Sequence, residues 1–145
     1  MKYYFDTNSD GYLSKKERNN ATLISAKYWK ISSFKGIKYF PNLKYLDCGH
    51  NNLTLLDLSG NKKLEKLNCD YNKLTALSTG NTPKLRTLYC GNNSLKTLNV
   101  SKSRSLQKLF CKPNKLTKLD VRKNKKLTAK GGIIDADKGV KIIKK

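Results

Sequence analysis

The chain is poor in the residues from which most active sites are built. It has a single histidine and ten acidic residues, against 31 basic ones. No glycine loop of the phosphate-cradling kind appears, and His50 has no carboxylate or nucleophile placed beside it by the local pattern. Catalysis therefore finds no support. Arginine is scarce too, with four among the basic residues. Arginine is the preferred bidentate partner of bases and phosphates, so the lysine excess is a weak sign of nucleic-acid reading. No apolar run approaches the length of a membrane span, and no membrane insertion is expected. Met1-Lys2-Tyr3-Tyr4-Phe5 runs straight into acidic residues and does not read as a secretory leader.

What the chain does have is repetition. Leu43-Lys44-Tyr45-Leu46-Asp47-Cys48-Gly49-His50-Asn51-Asn52-Leu53 returns three times: as Leu64…Leu67-Asn68-Cys69…Asn72…Leu74, Leu85…Leu88-Tyr89-Cys90…Asn93…Leu95, and Leu106…Leu109-Phe110-Cys111…Asn114…Leu116. The period is 21 residues, without insertion or deletion. A fixed period of this size means stacked coils. In each copy the second Leu and the Cys are two apart, so they share the inward face of a short strand. The Asn three residues later falls where the chain must turn. There its amide can satisfy backbone groups of neighbouring coils, forming a ladder of Asn51, Asn72, Asn93 and Asn114. A hydrophobic fraction of 37% suits so thin a body.

The four cysteines occupy one inward slot of consecutive coils. A linear ladder offers neither the tetrahedral convergence of a zinc site nor good disulfide geometry. They read as small buried hydrophobes.

The pattern resembles the leucine-rich repeat, Leu-x-x-Leu-x-Leu-x-x-Asn-x-Leu, with Cys in the third apolar slot. The formula echoes at Leu53-x-x-Leu56-x-Leu58-x-x-Asn61 and at Leu116-x-x-Leu119-x-Val121-x-x-Asn124, and degrades in the middle copies at Thr79, Thr82, Val100 and Ser103. The resemblance is to short bacterial repeats built of nested 10- and 11-residue halves. It implies a right-handed repeat solenoid with short parallel strands on the concave face. Little helix is expected, with extended or 3₁₀ segments on the convex side.

Before the repeats, Asp6-Thr7-Asn8-Ser9-Asp10-Gly11-Tyr12-Leu13-Ser14-Lys15-Lys16-Glu17 matches an EF-hand-like calcium loop at its constrained positions. Asp6, Asn8 and Asp10 would supply side-chain oxygens, Tyr12 its carbonyl, Ser14 a direct or water-bridged contact, and Glu17 two carboxylate oxygens. The other reading is a polar turn opening a helix, since Ser14-Lys15-Lys16-Glu17 is itself a capping box. Calcium binding, if present, is expected to be weak, because almost no helix leads into the loop.

The expected organisation is a loop and short helix over 1–20, a degenerate capping repeat over 21–42, four repeats over 43–126, and a C-terminal cap over 127–145. Trp29, Phe34 and Phe40 would give the first cap its bulk. In the last, Ile133-Ile134-Asp135 and Val140-Lys141-Ile142-Ile143 around Gly139 read as a β-hairpin.

Outward slots of the strands gather Tyr45, Lys66, Tyr71, Tyr89, Lys108 and Phe110 on the concave face. Aromatics with cationic neighbours suit recognition of a protein or glycan; cross-strand packing alone would also account for them. A basic row precedes each strand: Lys62-Lys63, Lys84, Arg104 and Lys125-Lys126. Its plainest role is a solvated edge that favours solubility. The net charge of +21 still implies some attraction to polyanions at low salt.

The arrangement of calcium-type loop, aromatic cap and Cys-containing repeats is similar to that of secreted and surface proteins of Gram-positive bacteria. That implies an extracellular or cell-surface, monomeric, non-enzymatic binding module, with a cytoplasmic setting as the alternative. Two alternatives stand beside it: an electrostatic polyanion binder for nucleic acid, teichoic acid or anionic glycan, and a structural spacer in a larger surface protein.

Overall fold

The computed structural model describes residues 12–144. Its main element is a six-stranded parallel sheet of three-residue strands: β1 (Leu23–Ser25), β2 (Tyr45–Asp47), β3 (Lys66–Asn68), β5 (Thr87–Tyr89), β7 (Lys108–Phe110) and β9 (Ile133–Asp135), side by side in that order. The register places every slot of one coil opposite the same slot of the next: Leu46 against Leu67, Leu67 against Leu88, Leu88 against Leu109. A constant 21-residue period produces this directly, since each coil closes after the same number of residues. The spacing of paired strands then sets the rise at about 4.8 Å per coil.

On the opposite side, β4 (Ala76–Ser78) pairs with β6 (Thr97–Asn99), and β8 (Lys118–Asp120) pairs with β10 (Lys141–Ile143), all parallel. The convex side is therefore extended. The nested halves explain why: ten residues after each first strand, Leu77, Leu98 and Leu119 repeat the inward position and are buried. Too few residues remain in each arc to wind a helix of useful length.

The core is a column of leucines with one cysteine per coil. Cys48, Cys69, Cys90 and Cys111 are unpaired and have no exposed surface. The thiols of Cys48 and Cys69 lie within hydrogen-bond reach of the carbonyls of Asn68 (3.3 Å) and Tyr89 (3.4 Å) in the following coil. Coil packing is tight enough to demand glycine where backbones approach: a Cβ at Gly91 would collide with the Lys112 carbonyl oxygen, and one at Gly60 with that of Lys38.

The asparagines tie coil to coil. Asn72 Nδ2 donates to the carbonyls of Cys48 (3.0 Å), Cys69 (3.1 Å) and Asp70 (3.2 Å), and its Oδ1 accepts from the Leu53 N–H at 2.9 Å. Asn51, Asn93 and Asn114 repeat this arrangement at successive periods. A second ladder runs beneath the turns that lead into the sheet. Asn61 donates to the carbonyls of Ile37 and Phe40, and Asn124 to those of Val100 and Ser103. Between them Thr82 and Ser103 join hydroxyl to hydroxyl at 2.9 Å, and Ser103 reaches Thr79 at 2.7 Å. The apparent degeneration of the middle copies is thus a buried hydroxyl chain standing in for two amides.

The ends differ in part from expectation. At the start, α1 (Lys15–Asn20) carries the capping box: Ser14 Oγ accepts from the Glu17 N–H, and Glu17 Oε2 accepts from the Ser14 N–H at 2.8 Å. Phe34 and Phe40 are buried, but Trp29 is 45% exposed and adds no bulk to the cap interior. Trp29 occupies the slot of the ladder asparagine and has no amide to offer the turn. Asn51 serves that turn from the next coil, donating to the Ala26 carbonyl at 2.8 Å and accepting from the Ile31 N–H.

At the other end there is no hairpin. β9 pairs with β7 and β10 with β8, both parallel, and β9 and β10 do not pair with each other. The segment is one more coil. Its start is displaced by four residues, taken up in the short helix α2 (Lys125–Thr128) and the turn through Gly131 and Gly132. With that shift Ile134 falls opposite Leu109, and a first half shortened by two residues then brings Ile142 opposite Leu119. Apolar residues at two-residue spacing around a glycine suit a hairpin and a solenoid coil equally well. The open edge of the preceding coil decides between them.

Candidate functional site

Every strand of the main sheet is three residues long and buries its central residue. The first and third side chains therefore project from the concave face. Register sets their neighbours. Tyr45, Lys66, Thr87 and Lys108 form one row; Asp47, Asn68, Tyr89 and Phe110 form the next.

The second row brings two rings together. Tyr89 and Phe110 stack with centroids 4.8 Å apart and planes within 5°. Lys66 Nζ lies 5.6 Å from the Tyr89 ring centroid, in cation–π range. Five of the six residues expected on this face, Tyr45, Lys66, Tyr89, Lys108 and Phe110, do share it. Tyr71 does not: it lies in the turn beyond the strand, in left-handed backbone (φ 53°). There it stacks on His50 at 4.1 Å, and His50 packs against Tyr28 at 4.3 Å. This second aromatic row runs down the rim of the sheet, separate from the first.

A depression of about 510 Å³ lies over the first half of the face, lined by Tyr45, Asp47, Lys66, Asn68, Asp70 and Tyr89 among others. Its carboxylates were not among the residues expected to bind. Asp47 accepts from the Gly49 N–H at 3.1 Å, and Asp70 Oδ1 from the Gly91 N–H at 2.6 Å. Burial pushes the Asp70 carboxyl above its ordinary value. The Gly91 hydrogen bond opposes that rise, as do the nearby His50 and Lys27, while Asp47 adds to it. Asp70 stands in a column that holds glycine in two of the other coils, and a lone carboxylate at a glycine position was the available signal in the sequence.

Of the calcium-loop residues, Asp6, Asn8 and Asp10 lie outside the described residues. Tyr12 is largely exposed, and the capping box holds Ser14 and a buried Glu17 together at the end of the loop. Among the described residues no helix is long and apolar enough to cross a membrane.

Comparison with known proteins agrees with this geometry. A sequence-family profile described as leucine-rich repeats, two copies, matches residues 41–81. No curated protein matches the chain. Among solved structures, the functional domain of InlJ from Listeria monocytogenes, described as including a cysteine ladder, is similar at 37% identity and a TM-score of 0.80 over 90% of this chain. The chain spans 28% of that protein's solved length. The inward leucine column, the buried sulfur ladder and the asparagine turns together are those of a leucine-rich-repeat solenoid, and that is the fold of this chain.

Proposed function

We propose that the chain is a non-enzymatic binding module, secreted or displayed on a bacterial surface, that holds a protein or glycan against its concave sheet. The observation that carries this reading is the half-buried pair Tyr89–Phe110, stacked in parallel beside Lys66 and next to the depression between Tyr45 and Asp70. Flat aromatic faces supply contact area at low conformational cost. Asp47, Asn68 and Asp70 beside them supply acceptors for hydroxyl or amide donors. Short strands in a stacked sheet hold these groups in place before a partner arrives, which lowers the entropy lost on binding.

An array of glycans and proteins, probed at physiological salt, tests the proposal. A triple variant, Tyr45→Ser, Tyr89→Ser and Phe110→Ser, is expected to lose at least tenfold in affinity for whatever the array identifies, about 1.4 kcal/mol or more. Unchanged binding by that variant would leave the module as a spacer.

The same reading includes weak calcium binding at the loop ending in Glu17. Its donors are all oxygen, as a hard cation requires, and the capping box anchors the last of them. About 5 mM calcium is expected to raise the thermal midpoint, in keeping with the millimolar affinities of extracellular sites. Glu17→Gln keeps the capping box but removes a charge, so it should abolish the calcium-dependent rise, measured from the variant's own calcium-free midpoint. A rise of equal size in the variant would refute the site.

A further inference from the structure

The basic row has a geometry that composition did not disclose. The coils that lead into β3, β5 and β7 enter the main sheet through the same tight turn, closed by a backbone hydrogen bond: Leu64 N–H to Asn61 O at 3.0 Å, Leu85 to Thr82 at 3.1 Å, Leu106 to Ser103 at 3.0 Å; the corresponding bond of Leu127 to Asn124, at 2.9 Å, opens the short helix α2. The two residues inside each turn are Lys62-Lys63, Pro83-Lys84, Arg104-Ser105 and Lys125-Lys126. Beneath them lie the buried Asn61, Thr82, Ser103 and Asn124: Asn61, Ser103 and Asn124 each bond to the turn before, and Thr82 bonds to the Thr79 carbonyl of its own coil and to Ser103. A further bond, Ser105 N–H to the Pro83 carbonyl at 3.3 Å, links two turns directly. The cations therefore stand in file on a rigid base, one or two per coil, at about 4.8 Å per coil.

All six are exposed, and Lys44 and Arg86 stand exposed just after the turns. None of the eight takes part in the ion pairs found among the described residues, which are Lys38–Asp57, Lys112–Asp135 and Arg122–Asp120. One acid, Glu65, lies within the row. The concave face and its rim carry acids instead: Asp47, Asp70, Asp135 and Asp137. Acids thus lie mostly away from the ridge, while the concave face carries both signs, with Lys66 and Lys108 beside Asp47 and Asp70. A file of like charges repels itself until an anion of matching form lies along it.

We propose that this ridge seats a linear, base-free phosphodiester polymer, which runs along the solenoid axis and leaves the concave sheet free. The ridge turns hold no aromatic side chain on which bases could stack, and stacking is what single-stranded nucleic-acid sites depend on. Lysine, a point charge on a flexible stem, takes a phosphate from any direction and reads no base. A compact anion would instead call for a pocket with converging donors, whereas these donors are spread over four coils.

The test compares two variants of equal net charge. One replaces the ridge: Lys62→Gln, Lys84→Gln, Arg104→Gln and Lys125→Gln. The other replaces four exposed lysines away from it: Lys73→Gln, Lys96→Gln, Lys115→Gln and Lys118→Gln. The probes are a polyglycerol-phosphate oligomer and an oligo-dT of the same number of charges. At about 0.1 M salt the ridge variant is expected to bind polyglycerol phosphate at least tenfold more weakly than the parent. Its plot of log affinity against log salt should be shallower by about 3, since each phosphate contact on a single strand contributes about 0.7. The control variant is expected to lose less than threefold. Equal losses in the two variants would mean diffuse attraction and overturn the proposal. So would tighter binding of oligo-dT than of polyglycerol phosphate, or no binding of polyglycerol phosphate by the parent at that salt.

Discussion

Replacing Asn72 by alanine is expected to cost about 3–5 kcal/mol, read as a fall in the urea midpoint. A buried polar group left without a partner costs about 1–3 kcal/mol, and this one side chain serves four: the Leu53 N–H and the carbonyls of Cys48, Cys69 and Asp70. Partial relaxation and entry of water keep the total below the simple sum. Domains of this size are stable by about 5–15 kcal/mol, so the loss takes a large share. The break also falls between coils, where a repeat protein holds most of its cooperativity. Asn72→Asp should not rescue it. A carboxylate can accept from Leu53 but presents no donor to three carbonyls. Asn52→Ala, one coil earlier and half-exposed, is expected to stay within about 0.5 kcal/mol of the parent. If Asn72→Ala matched Asn52→Ala, the ladder would carry no stability.

The second large effect lies in the thiols. Burial pushes Cys48 and Cys111 up to about 12, and drives Cys69 and Cys90 well above their ordinary value, with neighbouring thiols and acids adding to the rise. The thiolate is the reactive form. At pH 8 all four are expected to resist a disulfide reagent in the folded protein, and to react at the rate of a free thiol in denaturant, about a thousandfold faster from ionisation alone for Cys48 and Cys111. The sign of the pH dependence follows. These groups hold their protons longer folded than unfolded, so the stability they contribute is full below the unfolded value near 9. It is lost as pH rises toward 12. Each thiol accounts for about 1.4 kcal/mol per pH unit across that window, and four acting together should lower the urea midpoint steeply between pH 9 and 10. A flat midpoint across that unit, or fast modification of any cysteine at pH 8, would put sulfur outside the core.

Much of this architecture is legible in the chain because its signals are periodic. Leu-x-x-Leu-x-Cys at a strict 21-residue interval allows one closed coil and one inward face, and the Asn three residues on has a single place to turn. Signals that break the period are ambiguous. Gly131-Gly132 and the lysines around it hide the last coil, because a four-residue insertion looks like the end of a repeat until the edge of β7 is there to receive β9. Trp29 reads as core by its chemistry, but its slot lies at a turn, and Asn51 from the next coil fills the role it cannot.

The candidate surfaces divide in the same way. Alternation along each strand was enough to place Tyr45, Lys66, Tyr89, Lys108 and Phe110 on one face. Tyr71, two residues after the inward Cys69, is out of step with that alternation and leaves the sheet, where positive φ in the turn swings its ring onto His50. Asp70 gains its raised pKa from half-burial against the neighbouring coil, and the ridge cations come into line because the repeat sets similar turns one upon another. Residue order along the chain determined the coil, its inward face and its repeat. Stacking decided which side chains became neighbours, since groups 21 residues apart meet only when one coil rests on the next.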